Sequence, residues 1–568
     1  MTPNSKLRLA LAWWLFPCLV QAQESFTFGD YRLPIDLSLS LSGNYGEFRA
    51  NHFHTGYDMR IGGVVGAKLY AVADGFIAKI SVSPSGYGNA LYIEHPNGTT
   101  SLYGHLLDFA PSIQAYVKEK QYDQQSFSVN LTCTPELFPV KKGDFVGRAG
   151  NSGSSGGPHL HFEVRNTETQ ATLNVCDYGL YPVTDHTPPK LNRLQFYGYS
   201  IQAGVPRTAL LQAIDVAAPP KVVAVSDTFY VAMGAYDRME GSNASLALSS
   251  YDVYIDDNKV YRYKKTDLPA SMGRYLNSFL QYDQREKNNF SLLKTWVEPG
   301  NMVSGFVPLG QSGLFSLSDT LLHRLKIVLT DDSGNESVYQ YTVARQASRK
   351  MPVYPVLGKV LVWAIDNYDE KEGMRLYLPF GALGKNIDFN VDCVEAPAIS
   401  GRSFYAPLWR IGSPLEPLLK PMRLAIFAKV PEAFREKAVT VLLSENGRYS
   451  AAGGEWTGDF LETRTYQFGN YTVAIDTIPP FITPAYKTTD LRGAAQIGFR
   501  IADDLSGIKS YDGYIDGQWV LFEYDAKYSS LNYRFDKKRM VSGKQHELEL
   551  KVTDYRNNVA VYHTSFTW

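Results

Sequence analysis

Two stretches of this chain that lie far apart repeat each other, and this repeat constrains the fold more than any other feature of the sequence. Residues 323–331 read HRLKIVLTD and residues 546–554 read HELELKVTD. In both stretches apolar residues alternate with polar ones, which is the pattern of a strand with one buried face. Further pairs repeat in the same order, at 185–189 and 476–480 and at 251–256 and 511–516. The sequence therefore predicts two copies of one β-rich domain.

Each copy resembles an immunoglobulin-like β-sandwich, and the first copy carries a longer internal insertion. Each copy begins at a Pro-Pro element, which gives a domain a stiff start. Between the copies, strand-like runs such as KVLVW at 359–363 predict another sandwich-like unit. We therefore expect a mainly β chain, with immunoglobulin-like domains at 184–349 and 475–568 and a β-rich domain at 350–474. Ordinary Asp, Asn and Gly turn chemistry explains the aspartates in the turns of these domains, with calcium binding as the alternative.

Residues 1–22 have the features of a secretory signal peptide. Lys6 and Arg8 supply a basic start, an apolar run follows at 9–20, and a small residue, Ala22, ends the segment. The apolar run is shorter than the ~20 residues that a transmembrane helix needs. We therefore expect an exported protein of the periplasm or cell envelope, with no transmembrane span in the mature chain.

Cysteine usage leaves two questions open. Cys18 permits lipid anchoring as an alternative to cleavage after residue 22, although the bulky Pro17 stands where a small residue is expected. After cleavage Cys133, Cys176 and Cys393 remain, and an odd number in an oxidising compartment leaves at least one thiol unpaired. Cys133 and Cys176 flank the histidine-rich stretch described next and could form a disulfide.

The chemistry of the chain centres on residues 156–163, which read GGPHLHFE. Side chains two apart in a strand lie on the same face, so His159 and His161 can point at one spot. Two neutral imidazoles at this spacing are a good start for a zinc site. Taken alone, the pair is better explained by two histidines on a half-exposed strand.

A second cluster lies upstream, where His54 and Asp58 are four residues apart. Gly56 between them argues against a helix and for a bend that brings both side chains to one side. The simpler interpretation is a turn aspartate with a surface histidine. His52 could replace His54 as a ligand or share its face.

Two other histidines and one loop are further candidates for the functional site. His105 follows Gly104 within an apolar strand-like run, where a lone histidine is usually a core or edge residue. His95 precedes a proline in a turn, and we expect it at the surface. The Gly/Ser stretch at 150–157 leads into a strand rather than a helix, so it predicts a flexible rim rather than a phosphate-binding loop.

Together these pieces predict a zinc-dependent hydrolase. Six of the ten histidines lie between residues 52 and 161, and they can supply a His/His/Asp zinc set with an open fourth position, as catalytic zinc requires. Zinc lowers the pKa of bound water and polarises a carbonyl. A histidine left over from coordination can take a proton or stabilise an oxyanion. The formal net charge of -1 gives no argument for a nucleic-acid partner.

The three motifs resemble those of the lysostaphin-type (LytM-like) peptidoglycan zinc metallopeptidases, in order HTGYD at 54–58, YGHL at 103–106 and GPHLHFE at 157–163. The resemblance implies that His54, Asp58 and His161 hold one Zn²⁺ per chain. It implies that His105 and His159 do not hold the metal but orient the water and stabilise the tetrahedral intermediate. Because all five positions are present, the resemblance favours an active enzyme.

The resemblance also implies an antiparallel β metallopeptidase domain, which we place at 23–183, with its site in a groove. A long insertion at 107–140, with a helix predicted near 113–120, leaves the shape of this groove open. The expected activity is hydrolysis of peptide cross-links of peptidoglycan, with peptide stems as the substrate. One alternative is a non-catalytic envelope or regulatory protein whose zinc domain binds wall peptide or an amidase. Another is a protease of a protein substrate. The β-sandwich domains could bind an envelope protein partner.

Overall fold

The computed structural model describes residues 31–181, 185–303 and 312–568. The predicted signal peptide, with Cys18, lies outside the described residues. The chain is mainly β, as predicted, with 41 strands and three α-helices in these ranges. None of the helices in these ranges is long and apolar enough to cross a membrane.

The N-terminal unit, residues 31–181, is built from two antiparallel sheets. The larger has the strand order β1-β2-β11-β6-β5-β4-β8, with β9 also pairing with β4, and the smaller has the order β3-β10-β7. The elements of this unit are β1 Leu41–Gly43, β2 Tyr57–Arg60, β3 Lys68–Tyr70, β4 Gly75–Val82, β5 Ala90–Glu94, β6 Thr99–Gly104, β7 Leu106–Phe109, α1 Pro111–Asp123, β8 Val129–Thr132, β9 Pro139–Val140, β10 Phe145–Ala149 and β11 His159–Asn166.

Strand β11 lies between β2 and β6 in the larger sheet, and its register positions the histidine motifs. His161 pairs with Asp58 on one side and with Gly104 on the other. Leu160, Phe162 and Val164 alternate along β11 and are buried in the core. They fix this register, because a slip by one residue would turn them toward the face that carries the histidines.

The insertion contains the predicted helix, which is longer than the sequence indicated. Helix α1 begins at Pro111, a favoured first residue because its missing N–H needs no partner there. It buries Ile113, Val117 and Gln121 against the N-terminal unit. Its outer side faces residues 481–568, as described below.

The second unit, residues 185–345, has two five-stranded sheets, of order β13-β12-β15-β18 with β19 on β15, and β14-β21-β20-β16-β17. One hydrophobic core runs through this unit and the N-terminal unit, with Phe53 against Phe279 and Phe48 against Tyr263. Its elements are β12 Lys190–Gln202, β13 Val205–Ile214, β14 Val223–Val225, β15 Thr228–Tyr236, β16 Ser250–Ile255, β17 Asn258–Lys264, α2 Leu276–Phe279, α3 Tyr282–Asn288, β18 Leu293–Lys294, β19 Phe315–Ser316, β20 His323–Thr330 and β21 Glu336–Arg345.

The third unit, residues 359–476, has its own core between two five-stranded sheets, of order β23-β24-β28-β32-β31 and β26-β27-β33-β29-β30, with a short β22-β25 pair. Its strands are β22 Lys359–Leu361, β23 Asn367–Lys371, β24 Met374–Leu378, β25 Ile387–Phe389, β26 Val391–Val394, β27 Leu408–Ile411, β28 Met422–Phe427, β29 Ala438–Leu443, β30 Tyr449–Ala451, β31 Glu455–Thr457, β32 Phe460–Thr465 and β33 Gly469–Ile475.

The fourth unit, residues 481–568, packs two four-stranded sheets around one core, of order β34-β35-β39-β38 and β37-β36-β40-β41. Its strands are β34 Phe481–Pro484, β35 Gln496–Ala502, β36 Ile508–Ile515, β37 Gln518–Val520, β38 Glu523–Asp525, β39 Ser530–Arg534, β40 Gln545–Asp554 and β41 Val559–Thr567.

The structure reproduces the sequence repeat strand by strand. In the second unit β16 pairs with β20 so that Tyr251 lies opposite Leu329. In the fourth unit β36 pairs with β40 so that Tyr511 lies opposite Val552, which is the equivalent register. The two repeated histidines that begin β20 and β40 each bond an aspartate at 2.6 Å, so they belong to the repeat rather than to a reactive site.

The fourth unit returns to the N-terminal unit at the outer side of α1. Lys118 pairs with Asp536 at 2.7 Å, and the rings of Tyr122 and Trp519 meet edge to face with centroids 5.3 Å apart. Lys527 donates hydrogen bonds to backbone carbonyls of the Gly/Ser rim. The insertion thus joins the first and last units of the chain.

Candidate metal centre

Three of the predicted site residues, His54, Asp58 and His161, meet at one point. The β2–β11 register places Asp58 and His161 side by side, and the bend before β2 brings His54 over them. The Nε2 atom of His54 lies 3.0 Å from Oδ1 of Asp58 and 3.1 Å from Nδ1 of His161. Nδ1 of His161 lies 2.9 Å from the same aspartate oxygen. All three side chains are buried. The structure therefore brings together the His/Asp/His set that the resemblance singled out.

The other nitrogen of each imidazole fixes its tautomer. Nδ1–H of His54 donates to the backbone carbonyl of Asn44 at 2.8 Å, and a carbonyl oxygen can only accept. Nε2–H of His161 donates to the Glu163 carboxylate at 2.8 Å. Both imidazoles therefore present an unprotonated nitrogen, with its lone pair, to the oxygen of Asp58.

His105 and His159 stand beside this point and are oriented in the same way. Nδ1–H of His159 donates to the carbonyl of Gly157 at 2.8 Å, which leaves Nε2 free at 3.3 Å from Oδ1 of Asp58. Nδ1–H of His105 donates to the carbonyl of Ser152 at 2.8 Å, and the centroids of the His105 and His159 rings are 4.9 Å apart. Two further imidazoles therefore offer free nitrogens next to the first three side chains.

The backbone of His105 is strained. Its φ of 62° lies in the left-handed region, which a residue with a Cβ rarely adopts. Hydrogen bonds hold it there, from its own N–H to the carbonyl of Tyr87 at 2.8 Å and from the following N–H to the carbonyl of Asn89 at 3.0 Å. The strained turn at the end of β6 directs the imidazole back toward the cluster.

The donor set fits a zinc ion. When both imidazoles are neutral, three lone-pair atoms, two nitrogens and one oxygen, lie 2.9–3.1 Å apart. Such atoms repel one another unless a cation lies between them. Ligands at ~2.0–2.1 Å from a tetrahedral zinc ion are separated by ~3.3 Å, close to these spacings. Nitrogen and carboxylate ligands are those that zinc prefers.

Charges around the cluster favour a cation at its centre and a neutral imidazole beside it. Burial alone would raise the pKa of Asp58, but three neighbouring imidazoles hold it well below its ordinary range. Burial opposes a charge on His161 as well, yet Asp58 and Glu163 raise the pKa of its imidazole to about 9. His105 lacks a carboxylate partner, and burial together with the other imidazoles lowers its pKa to about 3.

Gly56 makes the bend predicted from the sequence, and the structure adds a reason for the absence of a side chain. A Cβ at this position would meet the backbone carbonyl oxygen of Phe162 at 2.6 Å and the ring of His161 at 2.9 Å. The segment that carries His54 can approach β11 this closely only at a glycine.

Glu163 is a site residue to which the sequence analysis gave no role. It is fully buried, and its Oε1 accepts hydrogen bonds from Tyr87 at 2.6 Å and from Thr55 at 2.7 Å in addition to the one from His161. Its Oε2 accepts a bond from Arg165 at 2.7 Å. The alternation of β11 carries the signal, because Glu163 is two residues beyond His161 and so shares its face.

Two histidines behave differently from the cluster. His52 is exposed and does not join the three meeting side chains, so it is not a substitute for His54 in this structure. The expectation of a surface position for His95 is wrong. His95 is buried, and it bonds the carbonyl of Asp74 at 2.9 Å and the hydroxyl of Ser101 at 2.8 Å. It therefore ties the bend before β4 to strand β6.

The cysteines are free thiols in this structure. Cys133 is buried, Cys176 is half-buried and Cys393 is exposed, and none of them forms a disulfide within the described ranges. The disulfide considered between Cys133 and Cys176 is therefore not formed here.

A cleft of about 590 Å³ lies beside the cluster, between the N-terminal and fourth units. Leu106 and Ser152, the neighbours of the strained His105, line one side of it. Tyr524 and Arg534 of the fourth unit line the other. The Gly/Ser rim thus separates the histidine cluster from an open cleft.

Two protein families match parts of the chain. The model of Peptidase family M23 matches residues 52–122, and that of the Zu5-like domain matches residues 358–476, close to the predicted domain at 350–474. The DD-carboxypeptidase/endopeptidase Mpg of Neisseria meningitidis serogroup B is 35% identical over 112 residues, which is 20% of this chain and 20% of that protein. Mpg of Neisseria gonorrhoeae matches equally well. The chain therefore spans about a fifth of the length of the curated relatives it matches.

Solved structures with similarity to the chain include three peptidases. The catalytic domain of the M23 protein EnpA from Enterococcus faecalis is 24% identical and covers 25% of this chain and 92% of that one, with a TM-score of 0.19. A zinc-containing peptidase from Vibrio cholerae is 25% identical, with coverages of 23% and 35% and a TM-score of 0.18. The lysostaphin catalytic domain from Staphylococcus simulans is 23% identical, with coverages of 22% and 78% and a TM-score of 0.17. The resemblance predicted from the three motifs is confirmed by the family match and the relatives.

Proposed function

We propose that this chain, whose N-terminal unit resembles the lysostaphin-type (LytM-like) peptidases of family M23, is an exported zinc-dependent endopeptidase that hydrolyses peptide cross-links of peptidoglycan. One observation carries the proposal. The imidazoles of four histidines each commit one ring nitrogen to a fixed hydrogen-bond acceptor, and the four are His54, His105, His159 and His161. Their other ring nitrogens remain free at or beside the cluster around Asp58. This arrangement supplies both a metal site and unliganded bases next to it.

His54, Asp58 and His161 would hold the zinc, through Nε2, Oδ1 and Nδ1 respectively. Bound zinc would act as a Lewis acid on a peptide carbonyl and would lower the pKa of a water molecule. The Glu163 carboxylate keeps His161 in the tautomer that leaves Nδ1 free, and the Asn44 carbonyl does the same for His54.

His105 and His159 would act on protons. Each has Nδ1–H committed to a backbone carbonyl, so Nε2 is the nitrogen that can accept a proton from the attacking water. Once protonated, the same nitrogen can donate to the oxyanion or to the leaving amine. The lowered pKa of His105 keeps its imidazole neutral at pH 7, so its free Nε2 can orient the water as a hydrogen-bond acceptor. General acid–base catalysis of this kind contributes ~10²–10⁴-fold to a rate.

The substrate assignment rests on the relatives. Mpg is named for DD-carboxypeptidase and endopeptidase activity. That name supports the peptide cross-links of a wall polymer as the substrate.

The test is digestion of purified peptidoglycan sacculi by the full mature chain, with mass spectrometry of the released muropeptides. We expect cross-linked dimers to disappear, and chelation to stop this until zinc is restored. His159→Ala should keep one zinc per chain and lose at least ~100-fold in rate, as expected for a lost acid–base group. His161→Ala should lose zinc and activity together. His52→Ala is the matched control, since this neighbouring histidine is exposed and outside the cluster.

The outcomes separate this proposal from its alternatives. Full zinc content and full activity in His161→Ala would refute the site. A protein that holds zinc but leaves every cross-linked muropeptide intact would favour the non-catalytic wall-binding protein. Cleavage of an unstructured protein such as casein, with sacculi untouched, would favour the protease of protein substrates.

A further inference from the structure

A second group of buried acidic side chains lies in the second unit, apart from the histidine cluster. Asp185 stands at the start of the unit, Asp237 follows β15 and Asp331 follows β20. Their side chains are 4%, 6% and 2% exposed, and one oxygen of each lies within 4.8 Å of the others. Three carboxylates buried this closely are costly unless a positive charge or a proton balances them.

Within the described ranges, two buried oxygens of this group have no hydrogen-bond donor. Oδ1 of Asp185 accepts bonds from backbone N–H groups at 3.2 Å, and both oxygens of Asp331 accept bonds from Asn335 at 2.9 Å. Oδ2 of Asp185 and Oδ1 of Asp237 have no partner. In the described ranges none of the three forms an ion pair with lysine or arginine; the nearby Lys265 is bound to Asp332.

The sequence repeat supplies a natural comparison. In the fourth unit Asn558 bonds the carbonyl of Asp476 at 2.9 Å and the carboxylate of Asp554 at 2.7 Å. Asn335 bonds Asp185 and Asp331 in the same way, at 2.9 Å and 2.9 Å. The two units therefore build the same acidic turn.

The two copies differ at the second residue after Asp331 and after Asp554. In the fourth unit it is Arg556, whose guanidinium donates a hydrogen bond to the carbonyl of Gly454 at 3.1 Å. In the second unit the equivalent residue is Ser333, which carries no charge. The second unit therefore has no positive side chain at this position of its acidic turn.

We propose that Asp185, Asp237 and Asp331 bind a calcium ion. The donor set is made only of oxygen atoms, which suits calcium and does not suit zinc or copper. Its two unpartnered, buried carboxylate oxygens are the ligands that lack any other role. The site is independent of the proposed peptidase activity.

The ion would hold the turn that anchors the second unit to the N-terminal unit. Asp332, next to Asp331, accepts a hydrogen bond from the Asn44 side chain at 2.8 Å. The Asn44 side-chain amide also pairs with the backbone of Ala247 in the second unit. It donates to the Ala247 carbonyl at 2.8 Å and accepts from the Ala247 N–H at 2.7 Å. Calcium should therefore stabilise the joined pair of units rather than the second unit alone.

The experiment uses the full mature chain, stripped of metal with EDTA and reloaded with one equivalent of zinc. Calcium chloride is then titrated at pH 8 by calorimetry, and the thermal midpoint is followed as calcium is raised. We expect one calcium per chain and a midpoint that rises with calcium concentration, as binding to the folded state alone requires. Magnesium chloride at the same concentration should have a much smaller effect, because magnesium demands a stricter octahedral site.

Two variants and a control locate the site. Asp237→Asn should weaken calcium binding at least ~10-fold, yet fold at least as stably without calcium because one of the crowded charges is gone. Ser333→Arg should weaken the calcium response by adding a positive charge two residues from Asp331. Asp392→Asn changes an exposed aspartate and should behave as wild type. Absence of calcium binding in the wild type, an unchanged response in Asp237→Asn, or an equal response to magnesium would each overturn the proposal.

Discussion

The role of Glu163 gives the sharpest prediction. Glu163→Gln keeps the shape of the side chain and removes its charge. In the wild type the buried carboxylate accepts Nε2–H of His161 at 2.8 Å, together with hydroxyl groups of Tyr87 and Thr55. We expect the variant to bind zinc ~10-fold more weakly, because the imidazole loses its charged acceptor and with it part of its basicity.

The magnitude comes from comparing two hydrogen bonds. A bond to a charged acceptor contributes ~1.5–3 kcal/mol, and a bond between neutral groups contributes ~1 kcal/mol. Glutamine can still accept from His161, so the expected loss is the difference, ~0.5–2 kcal/mol. A factor of ten in affinity corresponds to ~1.4 kcal/mol. The loss therefore falls at the lower end of the ~10–100-fold range seen when partners of metal ligands are removed.

Competition with a chromophoric zinc chelator measures this affinity directly. Glu168→Gln is the control, since that carboxylate is exposed on the segment just after β11. The thermal midpoint should fall as well in Glu163→Gln, because Arg165 loses its buried partner at 2.6 Å. A zinc affinity within twofold of wild type, with a lowered midpoint, would show that Glu163 serves Arg165 alone and would refute the reasoning.

Gly56→Ala should destabilise the protein by ~1–3 kcal/mol, because the new Cβ meets a carbonyl oxygen of β11 at 2.6 Å. Gly156→Ala is the control, since its Cβ enters open space. Equal thermal midpoints for the two variants would contradict this prediction. Zinc should displace a proton from His161, whose pKa is raised to about 9, so affinity should fall as the pH drops below that value. Calorimetry at pH 7 in buffers of different ionisation enthalpy should record release of about one proton, and no release would contradict the assignment. Lys265→Met should lower the free energy of unfolding, measured with denaturant, by ~3–5 kcal/mol, because Asp332 loses its buried cation. A decrease under ~1 kcal/mol, as for an exposed pair, would argue against a buried pair.

Periodicity predicted which side chains share a face, and the family resemblance predicted which three of them meet. The two-residue spacing of His159 and His161 on a strand, and a bend at Gly56, place side chains on common faces whatever the rest of the chain does. The repeat was predictable for the same reason, because alternation fixes which face is buried and so fixes the register.

The partners that set the tautomers could not be predicted in this way. The carbonyls of Asn44 and Ser152 are backbone groups, and any residue type can supply one. Tyr87 reaches Glu163 from a loop 76 residues away in sequence, so no local pattern marks it. His95 was misplaced because the proline after it indicates a turn, whereas the packing of the sheet buries that turn.

The contact between the fourth unit and the Gly/Ser rim has a consequence for the order in which the molecule is assembled. Lys527 bonds the carbonyls of Asn151 and Gly153, and Ser152 between them orients His105. The ribosome makes Lys527 last of these residues, long after every histidine of the cluster has left the exit tunnel. The rim therefore gains its outer support only when the fourth unit has folded. The reactive edge is thus complete only after synthesis has passed residue 527.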